Sequence, residues 1–325
     1  MRIEESEMER IGLFEGLTTE ERAVANAGLK PYVIGAGEEL LREGEADRSL
    51  LVVVDGELMI SLGDVELARV GMGDIVGEMA LFGTFDRRSA TVTTTVGPTK
   101  LLILDEDALR FLRVQGNPMV RNLEAFALRG LYRRVQEMEV RIADLTEPDP
   151  IPVPSLLGRI VGVFGMSPAP APIDVLRIVP GFANREAQSL RTIAGRLSVM
   201  GAPKGKAITT RGEPIAGAYM VANGSVGVWH PGSEGAPAPA RAAVLGPGHL
   251  FGRVGSTLEP IATTSVVALE PSWLVFFPSE VADELEDSTG VEGGAFRRGI
   301  IDALATQLRL MNEFFLSTVL RSAEE

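Results

Sequence analysis

Two stretches of this chain run through the same succession of residues. Asp55-Gly56 lies between apolar runs in SLLVVVDGELMISL, and Asn223-Gly224 lies between apolar runs in AYMVANGSVGVW, 168 residues further on. Val76-Gly77 is answered by Phe251-Gly252 at an offset of 175, and Pro98 before TKLLILDEDAL by Pro271 before SWLVFFPSEVADEL at an offset of 173. Self-similarity at a nearly fixed spacing marks one fold used twice. A drift of a few residues is what changes in loop length leave behind. The length agrees, because 325 residues at roughly 150 per domain make about two domains, each able to bury a core.

Between Pro31 and Thr95 the first half is a series of short apolar runs broken by glycine turns, the pattern of a β-sandwich or barrel. Asp55-Gly56 between two such runs reads as a hairpin turn, because a tight primed turn needs positive φ. Lys100 to Leu104 reads as a strand, Asp105 as an N-cap, EDALRFLRV as a helix, and Pro118 to Leu145 as a longer helix. Two Pro-rich segments, Glu147–Ser155 and Ser167–Ile173, behave as semi-rigid spacers. They set the expected boundaries: a first domain over 1–146, a linker over 147–173 holding a short apolar helix from Leu156 to Met166, and a second domain over 174–325.

Each closing helix carries an apolar seam. Leu128, Leu131, Val135, Met138, Ile142 and Leu145 step by threes and fours, as do Ile301, Leu304, Leu308, Met311 and Phe315. Spacing of about 3.5 residues is the coiled-coil signature. For the first helix, cover for its own barrel and a homodimer interface are equal readings. For the second, docking within the chain is favoured.

Composition removes several function classes. Lys+Arg 31 against Asp+Glu 44 leaves a net charge of −13, a field that repels polyphosphates and argues against a chain-wide nucleic-acid footprint. With no cysteine and only His230 and His249, no disulfide framework, thiolate nucleophile or common metal site is expected. A Ser-His-acid or metal-assisted hydrolytic centre has no residues to build it. The acidic start MRIEESEMER is unlike a signal peptide, and the Leu156–Met166 stretch falls short of a bilayer span. A cytoplasmic protein without a membrane span is expected.

The segment with chemical content is Gly73-Asp74-Ile75-Val76-Gly77-Glu78-Met79-Ala80-Leu81-Phe82, followed by Arg87-Arg88-Ser89-Ala90-Thr91. A glycine turn leads into a short helix with free first amides, and after a loop a strand opens on arginine. Free helix-start amides attract an anion, and a guanidinium binds two phosphate oxygens at once. Glu78, an acceptor when ionised, suits a sugar hydroxyl nearby. On residues alone, a plain surface pair of Glu78 with Arg88 is the competing reading.

This segment, VGEMALFGTFDRRSAT, resembles the phosphate-binding cassette of the cyclic nucleotide-binding domain, the module shared by the catabolite activator family and the regulatory subunits of protein kinase A. LFEGL near the N-terminus, AGEELLREGE at Ala36 to Glu45, LLVVVDGELMI and Gly73-Asp74 extend the resemblance over most of residues 11 to 145. It implies a mainly β fold with flanking helices, a double-stranded β-helix (jelly roll) closed by a C-terminal helix. It further implies that Glu78 takes the ribose 2′-hydroxyl, Arg88 the cyclic phosphate and Ser89 a phosphate oxygen. Backbone amides around Gly77, Met79 and Ala80 complete the cradle. Arg87 is the alternative to Arg88, although the Arg-Ser-Ala frame favours Arg88. Leu131, Tyr132 and Val135 are candidates to cap the base. Val76 and Asp86 depart from the usual phenylalanine and proline without removing a ligand contact. Analogy with Arg-Ser-Ala cassettes favours cyclic AMP, with cyclic GMP as the alternative.

The second half resembles the same domain with its site erased. Gly248-His249-Leu250-Phe251-Gly252 keeps the frame, but Arg253 stands in the glutamate position and Ile261-Ala262-Thr263-Thr264 in the arginine-serine strand. No cyclic nucleotide is expected there, since a buried phosphate would lack its counter-charge. GAPKGKA at Gly201 to Ala207 and the Gly71, Gly73, Gly77 set miss the spacings of true phosphate loops. No helix-turn-helix follows the long helix, so DNA binding is not expected. The expected function is a non-enzymatic cyclic nucleotide sensor that passes the binding signal from its first domain to a protein partner. The alternative is a scaffold of two structural domains that bind no nucleotide.

Overall fold

The computed structural model describes residues 5–83, 85–152, 167–233, 238–253 and 261–324. The Leu156–Met166 stretch expected as a short helix lies outside them. The chain divides into two compact units, Met1–Leu131 and Tyr132–Glu325.

The first unit opens with helices α1 (Glu5–Arg10) and α2 (Thr19–Gly28). A capping box starts α2: the Thr18 hydroxyl accepts the Glu21 amide at 3.2 Å and the Glu21 carboxylate accepts the Thr18 amide at 2.8 Å. Strands β1 (Lys30–Ile34), β2 (Glu39–Leu41), β3 (Leu50–Asp55), β4 (Leu58–Leu62), β5 (Val65–Val70) and β6 (Ile75–Val76) follow. Then come helix α3 (Glu78–Phe82), strands β7 (Thr91–Thr94) and β8 (Thr99–Leu104), and helices α4 (Glu106–Val114) and α5 (Met119–Leu145). The strands form two antiparallel four-stranded sheets, ordered β1-β8-β3-β6 and β2-β7-β4-β5. Leu50 to Val54 of β3 are all buried, as an uninterrupted apolar run requires of a strand covered on both faces. As expected, Asp105 caps α4, its carboxylate accepting the Ala108 amide at 2.8 Å.

In the second unit, helices α6 (Pro172–Leu176), α7 (Pro180–Ala183) and α8 (Ala187–Ala194) precede β9 (Ser198–Ala202), β10 (Ala207–Thr209), β11 (Gly217–Asn223) and β12 (Val226–His230). Strands β13 (Ala240–Leu245), β14 (Leu250–Gly252), β15 (Ser265–Ala268) and β16 (Ser272–Pro278) then lead to α9 (Ser279–Asp287) and α10 (Val291–Glu324). Its sheets, β9-β16-β11-β14 and β10-β15-β12-β13, reproduce those of the first unit strand for strand. The tandem jelly-roll fold expected from the repeat is therefore present. The core of this unit packs Val221, Val226, Val228, Leu245, Phe251 and Leu274 together.

The two glycine turns that register the repeat are corners, not hairpins. Gly56 has φ +100° and Gly224 φ +82°, as a tight turn demands, yet β3 and β4 belong to different sheets, as do β11 and β12. Local sequence sets the sign of φ, whereas strand partnership is decided by the fold around it. A Cβ on Gly56 would lie 2.5 Å from the Thr99 hydroxyl, so close passage of β8 fixes this corner. The tight hairpin of the first unit is β4–β5, with Leu62 opposite Val65.

The seam of α5 is buried at Leu128, Leu131, Val135, Met138 and Ile142 within one chain, and Leu145 alone is well exposed at 43%. Leu128 and Leu131 belong to the first unit and Val135, Met138 and Ile142 to the second, so the stripe is not cover for the first barrel alone. The α10 seam from Ile301 to Phe315 is buried at every position. No helix among the described residues is long and apolar enough to cross a membrane.

Candidate functional site

The first-unit cassette is assembled by three loops meeting at the end of β6. Pairing of β6 with β3 places Val76 opposite Leu51, and the turn before it is held by the Gly71 amide on the Asp74 carboxylate at 2.9 Å. The chain then bends at Gly77, whose φ of +89° starts α3 from a left-handed residue. A Cβ here would lie 2.4 Å from the Ser49 carbonyl oxygen and 2.8 Å from Arg88 Nη1, so glycine is required by conformation and by space alike. The first amides of α3, around Met79 and Ala80, have no intrahelical acceptor.

Arg88 arrives from the other side. Its backbone is stitched to the β2–β3 loop, its amide donating to the Glu45 carbonyl and its carbonyl accepting from the Gly44 amide, each at 2.9 Å. The side chain turns back inward. Nη1 donates to the Gly77 carbonyl at 3.4 Å, and Nη2 to the Ser49 carbonyl at 2.7 Å, the Ser49 hydroxyl at 3.0 Å and the Asp47 carboxylate. The guanidinium-bearing side chain is only 3% exposed. Arg87, by contrast, is exposed and donates to the Gly44 carbonyl at 2.7 Å. Glu78 is buried at 1%, and Met79 and Ala80 are buried beside it. The Ser89 hydroxyl lies 3.4 Å from Met79 Sδ, which ties the arginine segment to the start of the helix; that segment precedes β7, which begins only at Thr91, rather than opening a strand on arginine.

Sequence reasoning missed Asp47 and Ser49. Burial pushes the Asp47 carboxyl up, but hydrogen bonds from Arg88 and Ser49 outweigh it, and the group titrates below its ordinary value. The available signal was the polar stretch Asp47-Arg48-Ser49 directly before the apolar β3 run, a natural place for groups that face the mouth of a barrel.

Tyr132 belongs to the second unit. Its hydroxyl donates to the Gly252 carbonyl, and burial, with the nearby Glu139 carboxyl, pushes the phenol pKa up. The second unit keeps the cassette backbone: Gly248 and Gly252 have φ of +85° and +91°, against +86° and +89° for Gly73 and Gly77. The chemistry differs. Arg253 sits 3.5 Å from Asp283, and Ile261, Ala262, Thr263 and Thr264 line a cavity of about 260 Å³.

Two barrels of one topology, one of them with a buried arginine brought against the start of a short helix, define a tandem β-roll protein with a small-ligand cassette. The cyclic nucleotide-binding domain profile matches residues 33–115 and 200–288, more than half of the chain, which therefore belongs to that family. The chain is 29% identical over 153 residues to a cGMP-dependent protein kinase of Eimeria tenella, covering 47% of this chain and 14% of that protein. It is 27% identical over 145 residues to a CRP-like cAMP-activated global transcriptional regulator of Mycobacterium tuberculosis, covering 43% and 62%. The matches thus span less than two thirds of either relative. Among solved structures, the regulatory domain of Toxoplasma gondii PKA with cAMP is 20% identical, covers 85% of this chain and 91% of that one, and has a TM-score of 0.31.

Proposed function

We propose that this protein is a non-enzymatic, cytoplasmic cyclic nucleotide sensor whose first unit binds cyclic AMP. Arg88 carries the phosphate, with Ser89 and the amides of Met79 and Ala80 completing the cradle, and Glu78 accepts the ribose 2′-hydroxyl. The observation that carries the reading is the burial of the Arg88 guanidinium against Gly77, because a buried cation at a helix start is a site prepared for a small anion. The exposed Arg87, turned onto the Gly44 carbonyl, is the weaker candidate for the phosphate. Cyclic AMP is preferred over cyclic GMP on the Arg-Ser-Ala frame.

A phosphate in the cassette would compete with Asp47 for Arg88 and draw the β2–β3 loop and α3 together. Helix α5 follows this barrel in the chain and continues into the second unit, so a ligand that prefers one α5 position over another transmits its binding as a coupling free energy to a protein partner. The second unit, with Arg253 and Ala262 in place of the acid and the arginine, takes no part in cyclic nucleotide binding. Titration calorimetry with cyclic AMP and cyclic GMP on the wild type and on Arg88→Ala tests this: heat from the wild type and none from the variant is expected. Absence of heat from both proteins ends the proposal.

A further inference from the structure

The cavity of the second unit has a wall that the first cassette does not predict. Tyr132, Val135, Gln136 and Glu139, successive turns of one face of α5, line it together with Leu250, Phe251 and the segment Ile261–Thr264 before β15. Glu139 is 7% exposed, and no hydrogen bond or ion pair reaches its carboxyl from the described residues. A carboxyl at a cavity wall that no protein group bonds is available to an occupant of the cavity. Three other polar side chains of the wall are engaged within the protein: Tyr132 on the Gly252 carbonyl, Gln136 on the Thr263 hydroxyl at 3.3 Å, and Arg253 beside Asp283.

We infer that this cavity is a binding site for an uncharged, flat heteroaromatic molecule whose amide-type edge pairs with the Glu139 carboxyl. A carboxylic acid offers a donor and an acceptor side by side, the complement of a lactam N–H and C=O. Burial holds the Glu139 carboxyl in its neutral form at ordinary pH, its pKa raised to about 8, which agrees with that pairing. Size narrows the class. A cavity of roughly 150 Å³ holds one benzene ring, so about 260 Å³ suits two fused rings. Val135, Ile215, Leu250, Phe251 and Leu304 supply apolar walls for them. Charge narrows it further, because Ala262, whose amide and carbonyl bond to Glu213 and Gly212 as those of Arg88 bond to Glu45 and Gly44, stands where the first cassette has Arg88, and the arginine at the wall, Arg253, faces Asp283. A phosphate-bearing ligand is therefore disfavoured, and this site is independent of the cyclic nucleotide reading of the first unit.

The test uses the full chain and three probes: quinolin-2-one, a fused-ring lactam; quinoline, the same rings without the amide edge; and cyclic AMP. Calorimetry and thermal shift are expected to show quinolin-2-one binding to the wild type and to Arg88→Ala alike, with quinoline at least about tenfold weaker. Glu139→Leu should lose at least about tenfold in quinolin-2-one affinity, and Glu139→Gln, which keeps a donor and an acceptor, should retain most of it. If the wild type gives no heat with quinolin-2-one at its solubility limit, or if quinoline binds equally well, the inference is overturned and the carboxyl is bonded by water only. Loss of quinolin-2-one binding in Arg88→Ala would overturn it too, by moving the probe to the first cassette. The cyclic AMP arm reads only that cassette, so its failure leaves this result intact.

Discussion

The guanidinium of Arg88 meets the carbonyl oxygen of Gly77 at 3.4 Å, closing an 11-residue excursion of the chain. That carbonyl also accepts the Leu81 amide at 3.2 Å, so the arginine is fixed to the first turn of α3. A ligand at the helix start is within reach of both.

The two adjacent arginines should behave differently. Arg88→Ala removes a buried charge-assisted donor and is expected to weaken cyclic AMP binding by about 3 kcal/mol or more, over a hundredfold. Arg87→Ala, at an exposed side chain with one carbonyl contact, should change affinity by less than about fivefold. Calorimetry on the pair checks this, and equal losses would contradict the assignment.

Asp47→Asn takes the counter-charge from a buried guanidinium. The variant should melt lower than the wild type, because Arg88 stays buried with weaker compensation. Saturating cyclic AMP should then raise its melting point by more than it raises that of the wild type, since the phosphate supplies the missing charge. Differential scanning calorimetry with and without nucleotide reads both effects, and a smaller ligand shift in the variant refutes the idea that Asp47 and phosphate share one partner.

Gly77 and Gly16 both have positive φ, +89° and +74°, but only Gly77 has neighbours within 4 Å of a built Cβ. Replacing either with alanine costs about 1–2 kcal/mol for the left-handed backbone. At Gly77 the Ser49 carbonyl and Arg88 must also move, so Gly77→Ala should destabilise further and impair ligand binding, whereas Gly16→Ala should leave binding unchanged. Urea denaturation and calorimetry on the two variants separate strain from collision.

Glu139 makes a prediction about pH. Its folded pKa is about 8, pushed up by burial from an ordinary 4.5, so the folded chain holds a proton that the unfolded chain releases. Stability should fall as pH rises from about 4.5 through 8, by a few kcal/mol at most. Glu139→Gln should flatten that slope. Denaturation midpoints between pH 5 and 9 decide it, and an unaltered slope in the variant would assign the dependence elsewhere.

Much of the fold was legible because its signals are local. Glycines that must take positive φ, an Asp that caps α4 and apolar steps of three and four all report short-range physics, and they placed the strands, the helices and the repeat. The role of Asp55-Gly56 was misread for the same reason: a dipeptide specifies a bend, and only the passage of Thr99 beside it says which sheet the next strand joins. At the first site, Glu78, Arg88 and Ser89 announce themselves as a run of residue types, whereas Asp47 and Ser49 come from a loop some 40 positions earlier in sequence and carry no pattern of their own. Glu139 was hidden among helical surface charges, and only the three-dimensional placement of α5 in the second unit shows its carboxyl at a cavity wall.

The near-identical bends at Gly77 and Gly252 have a practical consequence for protein engineering. One mould has been cast twice while its fittings differ, so backbone shape and ligand choice are separable instructions in this chain. The second casting therefore offers a ready-made receptacle into which new specificities can be installed by exchanging a handful of side chains, with no redesign of the scaffold.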